Sequence, residues 1–283
     1  MFRKLTNSWE LVKASASVLR SDKELIVFPI VSGIATLIVA ATFAIPMFLA
    51  NMFDQAFVSG DGFQPLAMII GFLFYLVQYF VIFFCNTALV GAALIRLQGG
   101  DPTVSDGFRI AGQRIGTIFG YALISATVGM ILRAISERAG IIGRIIISLI
   151  GIAWSLATYL VVPVLAVENV GPIDAIKRST ELLKRTWGEQ VVGNAGVGAV
   201  FGLITLLLML ILIPLFVLAV MSESLVLIGL VAGIAVLAFL AMGIISSTLS
   251  GIYTAAVYRY AATGETSVGF NAEMVQAAFQ PKR

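Results

Sequence analysis

Six apolar runs decide what this chain can fold into. They lie at about 25–50, 65–95, 115–135, 141–167, 190–220 and 225–257. A bilayer core of ~30 Å takes ~20 helical residues to cross. Lipid offers no partner to an open backbone, so each run must close its own hydrogen bonds as a helix. Charged residues make up 12% of the chain, against ~25% in an ordinary soluble domain. Water cannot solvate a surface so poor in charge. The expected fold is all-α: a polytopic membrane protein of six transmembrane helices, with amphipathic in-plane helices on the cytoplasmic side. The second, fifth and sixth runs exceed a simple crossing and must tilt, bend or project. Pro214 and Gly243 are the natural places for a bend. A polar, basic stretch precedes the first run and no small-residue cleavage pattern follows it, so that span is expected to be retained.

Lys and Arg set the orientation. With the N-terminus in the cytoplasm, the inner side receives Arg3, Lys4, Lys13, Arg20, Lys23, Arg96, Arg109 and Arg114. It also receives Lys177, Arg178, Lys184, Arg185, Arg259, Lys282 and Arg283. The outer side keeps three of the 18 basic residues, Arg133, Arg138 and Arg144, in the turn between spans three and four. Both termini are therefore expected inside. The three outer arginines either snorkel to headgroups with Glu137 paired to one of them, or form a site for an anionic lipid or solute.

Each inner segment has helical periodicity. In the first, Leu5, Trp9, Val12, Ala16 and Leu19 form an apolar stripe opposite Glu10, Lys13, Ser17 and Arg20. Val104, Phe108, Ala111 and Ile115 share a face in the second, opened by Thr103 and Asp106 at capping-box spacing. Pro172 and Asp174 suit the first turn of the third. There Ile173, Ile176 and Leu183 mark the apolar side, and Asp174–Arg178 and Glu181–Arg185 are expected i,i+4 pairs. The order is then in-plane helix, span, span, three times over: 1–96, 97–170 and 171–283 within one membrane domain. Arg96 and Arg259 end two of these units alike, each followed by Gly and an acid. Such helices present cations to anionic headgroups. Lys177, Arg178, Lys184 and Arg185 are the expected inner headgroup contacts, and Arg133, Arg138 and Arg144 the outer ones.

Two absences narrow the chemistry. The chain has no histidine and one cysteine, Cys85, which sits in an apolar run. Imidazole catalysis, His-ligated metals and an intramolecular disulfide are excluded. No acid occupies the middle of a span, no metal-ligand spacing occurs, and no nucleophile lies beside a base. No enzyme activity, metal, cofactor or nucleic-acid partner is expected. The glycine-rich stretch 193–202 follows no strand and lacks the Lys-Ser/Thr of a phosphate loop. Gly198 and Gly202 instead suit close helix packing, as do Gly243, Ser247, Gly251 and Ala255 at steps of four. Gln78, Asn86 and Thr87 are polar residues within the second span. They serve interhelical hydrogen bonds or line a polar path.

The run Pro163-Val-Leu-Ala-Val-Glu-Asn-Val-Gly-Pro-Ile-Asp-Ala-Ile-Lys-Arg-Ser-Thr-Glu-Leu-Leu-Lys-Arg-Thr-Trp-Gly-Glu189 resembles a segment of an uncharacterised family of prokaryotic six-span membrane proteins. Asn7-Ser-Trp-Glu-Leu-Val-Lys13 and Tyr258-Arg-Tyr-Ala-Ala-Thr-Gly-Glu265 extend the likeness. More distantly, that family is similar to the membrane domain of some glycerophosphoryl diester phosphodiesterases. The resemblance implies a bacterial or archaeal cytoplasmic membrane and a module that serves something else. The phosphodiesterase's catalytic residues are missing, so its activity does not carry over.

The expected function is a non-enzymatic membrane scaffold or accessory that contacts anionic lipid and a protein partner or a second copy. The alternative is a transporter or small channel lined by spans two and six.

Overall fold

Every regular element among the described residues is a helix. The structure is a computed structural model, describing residues 2–49, 65–187, 197–267 and 270. The outer loop 51–64, Asn194 with most of its glycine-rich stretch, and Lys282 and Arg283 lie outside the described residues, as does the side chain of Trp187.

The elements are α1 (Phe2–Ser21), a 3-10 turn at Lys23–Ile26, α2 (Val27–Leu49), α3 (Pro65–Leu97), α4 (Val104–Gln113) and α5 (Ile115–Arg138). They continue with α6 (Ile141–Ala157), α7 (Val161–Val167), α8 (Pro172–Trp187), α9 (Val197–Met221) and α10 (Leu225–Thr263). Six stretches are long and apolar enough to cross a bilayer: Lys23–Pro46, Ile69–Leu97, Ile115–Arg138, Ile141–Val167, Val200–Met221 and Leu225–Thr263. Their exposed faces carry isoleucine and leucine, as on α6, where Ile141, Ile145 and Leu149 are open and no residue is buried. Side chains of this kind need hydrocarbon around them. The chain is a multi-pass membrane protein.

The chain gathers into two compact units: 1–26, 93–101 and 187–283 in the first, and 27–92 and 102–186 in the second. In the first, α1 packs against α9 and α10. Its buried residues are Leu11, Val12, Ala14, Ser15 and Val18, so Val12 of the expected stripe is buried and the rest of the buried set lies beside that stripe. Trp9 lies exposed with Lys13 above its ring, and Ala16 and Leu19 are half-buried. Hydropathy drew the stripe through the large residues, whereas close packing selects a flank that includes small Ala14 and Ser15. Two span ends in this unit are built alike. Arg96 reaches Asp101 at 3.2 Å and Arg259 reaches Glu265 at 3.3 Å. Gly99 and Gly264 take φ of +90° and +74° in the two turns, a region costly for a residue with a Cβ. Arg96 also donates to Ser21 O, and Arg259 to Leu97 O.

In the second unit, α4 begins with the expected capping box. Thr103 Oγ1 accepts from the Asp106 amide, while Asp106 takes the Thr103 amide at 3.0 Å. The Thr103 hydrogen bonds hold the Asp106 carboxyl below its ordinary value. Helix α4 approaches α3 closely: a Cβ on Gly107 would lie 2.7 Å from Ala88 O and strike the Phe28 ring. Phe108 then contacts two rings, tilted against Phe28 and stacked on Phe84. Ile115, expected on this face, is exposed.

Neither Pro214 nor Gly243 interrupts its helix. The interrupted span is the fourth.

Candidate functional site

Three turn residues, Thr158, Tyr159 and Leu160, separate α6 from α7. Pro163 explains the interruption. Its ring nitrogen has no hydrogen for the carbonyl four residues earlier, and the ring would collide with that carbonyl in a continuous helix. Within the first turn of a new helix, the same residue is well tolerated. The chain therefore stops and restarts: Thr158 and Leu160 have ψ near zero, and α7 begins at Val161.

A restart strands backbone groups in an apolar setting, where an unpaired N–H is costly. Helix α8 meets that need with consecutive side chains. The buried Leu160 amide donates to Ser179 Oγ at 3.0 Å. Thr180 Oγ1 lies 2.9 Å from Ile176 O and 3.4 Å from Ala157 O. Ser179 and Leu160 are both 0% exposed. One residue earlier, Arg178 Nε meets both Glu168 carboxylate oxygens, at 3.1 and 3.2 Å, just beyond the end of α7. Its Nη1 reaches Glu181 at 3.2 Å. The hydrogen bond to Glu168 raises the Arg178 pKa above the ordinary arginine value, so this clamp stays charged. Beside it, Arg114 donates to Asn169. Residues 178–180 thus hold α8 to both sides of the break.

The buried face of α8 is Ala175, Ser179, Leu182 and Leu183. Leu183 lies where expected, but Ile173 does not: it is 59% exposed, on the side of Lys177, Lys184 and Arg185. Ile176, Lys177, Thr180, Glu181, Lys184 and Arg185 line a shallow depression along this outer side. The expected i,i+4 pairs are replaced. Asp174 takes Lys177 at 3.0 Å, and Arg178 turns to Glu168. A half-buried carboxylate outcompetes an exposed one because water screens the pair less. Lys184 and Arg185 are exposed and form no ion pair among the described residues.

Residues 66–270, which contain this whole arrangement, match the model of a family of unknown function, DUF6159. The chain belongs to the DUF6159 family. No curated protein and no solved structure matches it, so the distant likeness to glycerophosphoryl diester phosphodiesterases has no counterpart among them.

At the far end of the second unit of this DUF6159 protein, Arg133 is held between Glu137 at 2.9 Å and the Tyr75 hydroxyl at 2.7 Å. It ties α5 to α3 above a ladder of rings, Tyr75 on Tyr79, Tyr79 on Phe83, and Phe83 against Tyr121. Arg138 and Arg144 are exposed without an ion pair among the described residues. Of the polar residues in α3, Thr87 is fully buried, and neither Thr87 Oγ1 nor Gln78 Oε1 has a hydrogen-bond partner among the described residues. Asn86 is half-buried.

The small-residue positions of the DUF6159 chain divide. Ala255 is buried and Gly251 half-buried, while Ser247 and Gly243 are exposed. A Cβ on Gly198, Gly202 or Gly243 would meet nothing within 4 Å among the described residues. The expected seam therefore ends near Gly251, because a four-residue period fixes a face without supplying its neighbour. No group of three or more Cys, Asp or Glu residues that could hold a metal occurs among the described residues.

Proposed function

We propose that the protein is a non-enzymatic scaffold or accessory of a prokaryotic cytoplasmic membrane, working through α8 as an amphipathic helix against anionic lipid. The exposed residues of α8 support this: Ile173, Lys177, Lys184 and Arg185 are open beside Asp174 and Glu181, and Lys184 and Arg185 have no ion-pair partner among the described residues. Basic residues near an anionic leaflet gain ~1 kcal/mol each. The exposed isoleucine suits the boundary between headgroup and acyl chain. Arg138 and Arg144 would meet headgroups on the opposite side. A protein partner or a second copy would dock on the same scaffold.

Native mass spectrometry of the purified protein should find anionic phospholipid retained over neutral lipid. Lys184→Gln with Arg185→Gln should lower that retention and make it more sensitive to salt. Equal retention by variant and wild type would remove the lipid role from α8. The skew of basic residues supports cytoplasmic termini. In a Cys85→Ala background, a cysteine at Ser222 should react with an impermeant thiol reagent in intact cells, and one at Ser105 should not. The reverse pattern would invert the topology.

A second function, transport along a polar path, draws support from half-buried Gln78 and buried Thr87 in α3, whose Oε1 and Oγ1 have no hydrogen-bond partner among the described residues. Solute flux into proteoliposomes that falls with Gln78→Leu would favour it.

A further inference from the structure

The two sides of α8 face different tasks. Its outer side carries exposed Ile173, Lys184 and Arg185, and its inner side closes a gap in a transmembrane helix. Few residues separate the two: Arg178, Ser179 and Thr180 grip the break and Glu168, while Lys184 and Arg185 follow less than two turns later on the same rigid helix. A helix seated by its outer face cannot lift its inner face, so whatever holds the first also holds the second. The Leu160 amide gives this coupling a direction. Its acceptor in the structure is a side chain of α8, so with α8 displaced it would be buried without that hydrogen bond and the span would loosen at 158–160.

We infer that α8 is a sensor of leaflet charge: docking of its cationic face on anionic lipid seats Ser179 in the break and stiffens the fourth span, and loss of that docking frees the span to bend. The device rests on the lipid-facing role proposed above and adds its consequence. Anionic phospholipid is the ligand, because the exposed acids Asp174 and Glu181 are already met by Lys177 and Arg178, which leaves Lys184 and Arg185 as cations without an ion pair among the described residues, on a helix that also exposes Ile173. The strength of the latch is set by Ser179 and by the Arg178–Glu168 clamp, both separate from the lipid-facing cations.

Hydrogen exchange of the full-length protein can read the latch directly. The protein would be placed in nanodiscs of phosphatidylcholine alone or of phosphatidylcholine with phosphatidylglycerol. Amides at 158–161 should exchange roughly tenfold more slowly in the anionic discs, the scale expected for one buried hydrogen bond kept or lost. Lys184→Gln with Arg185→Gln should erase the difference between lipids. Ser179→Ala should give fast exchange in both, and Ser179→Thr, which keeps the acceptor, should restore slow exchange in anionic discs. Peptides from α5 serve as the folding control and should not change. If wild type retains anionic lipid selectively yet 158–161 exchange equally in both discs, the coupling is overturned and the lipid role stands. Lipid-dependent protection that survives in Ser179→Ala would also overturn it. If anionic lipid is not retained selectively, the lipid role fails and takes the coupling with it.

Discussion

The sixth span, α10, runs 39 residues without interruption, whereas the fourth is divided into α6, of 17 residues, and α7, of 7. Both are strongly apolar, yet their polar groups are satisfied differently. In α10 the hydroxyls turn back on their own helix, Thr248 to Ile244 O and Thr254 to Ser250 O, each at 2.8 Å. Such bonds are local and survive whatever the neighbours do. At the break in the fourth span, the acceptor for Leu160 and the donor to Ala157 come from α8. These threonine bonds of the long span stay within its own helix; the break in the fourth depends on another helix. Perturbing α8 should therefore reach the fourth span and leave the sixth unchanged.

The largest test of that contrast is Ser179→Leu. It removes the acceptor from a buried N–H and overfills a site with no space, together costing about 3 kcal/mol or more. Ser247→Leu on the exposed side of α10 should stay within about 0.5 kcal/mol. Thermal unfolding of the full chain in mild detergent would show the difference, and equal losses would break the contrast. Within α10, Ala255→Leu should cost ~1–3 kcal/mol by overpacking, and Gly243→Leu almost nothing. The same unfolding assay compares them, and a matched loss at Gly243 would mean that its open face is covered in the membrane.

A smaller effect separates two ion pairs of α8. Arg178 and Glu168 are 31% and 23% exposed, and a double-mutant cycle should return a coupling of about 1 kcal/mol that changes little with salt. Lys177 and Asp174 are 73% and 65% exposed, and their coupling should be near the detection limit and vanish at high salt. Equal couplings would mean that burial is not what redirected Arg178.

The smallest expected effect is one of pH, and it belongs to the unit that holds α10. Burial pushes the Asp22 carboxyl above its ordinary value of 3.8, with Arg96 partly opposing the shift. The folded state then binds this proton more tightly than the unfolded state. Its contribution to stability is fully present below 3.8, falls as pH rises through the raised value, and is flat above it. Asp22→Asn should remove that slope and leave stability at neutral pH unchanged or higher. Hydrogen exchange at the end of α1, compared between wild type and variant across acid pH, reads it. Amides at 158–161 should not respond to this substitution.

Much of the architecture was legible before any coordinates. Hydropathy is a bulk property, and six runs of it gave six spans because lipid leaves the backbone no other option. The capping box at Thr103 and Asp106 was equally legible, since both partners lie within one turn. What was less legible needed a neighbour. The spacing of Gly243, Ser247, Gly251 and Ala255 defines a face, but what stands opposite that face is a tertiary fact. Arg178 was assigned to Asp174 by proximity along the helix, while Glu168, ten residues away and half-buried, holds it in the fold. Pro163 was a signal in plain view. A proline inside an apolar run marks a helix break, and Ser179 and Thr180 on the next polar helix serve the Leu160 amide and the Ala157 carbonyl beside it.

The break also imposes an order of events on the growing chain. Synthesis proceeds from the N-terminus, and domains fold as their residues emerge. Ser179 lies 19 residues beyond Leu160, so α6 and α7 reach the membrane before their cap has been made. Until α8 is released, water or the insertion machinery must hold the Leu160 amide. The fourth span is thus provisional at birth, and its final seating waits on the helix that follows it.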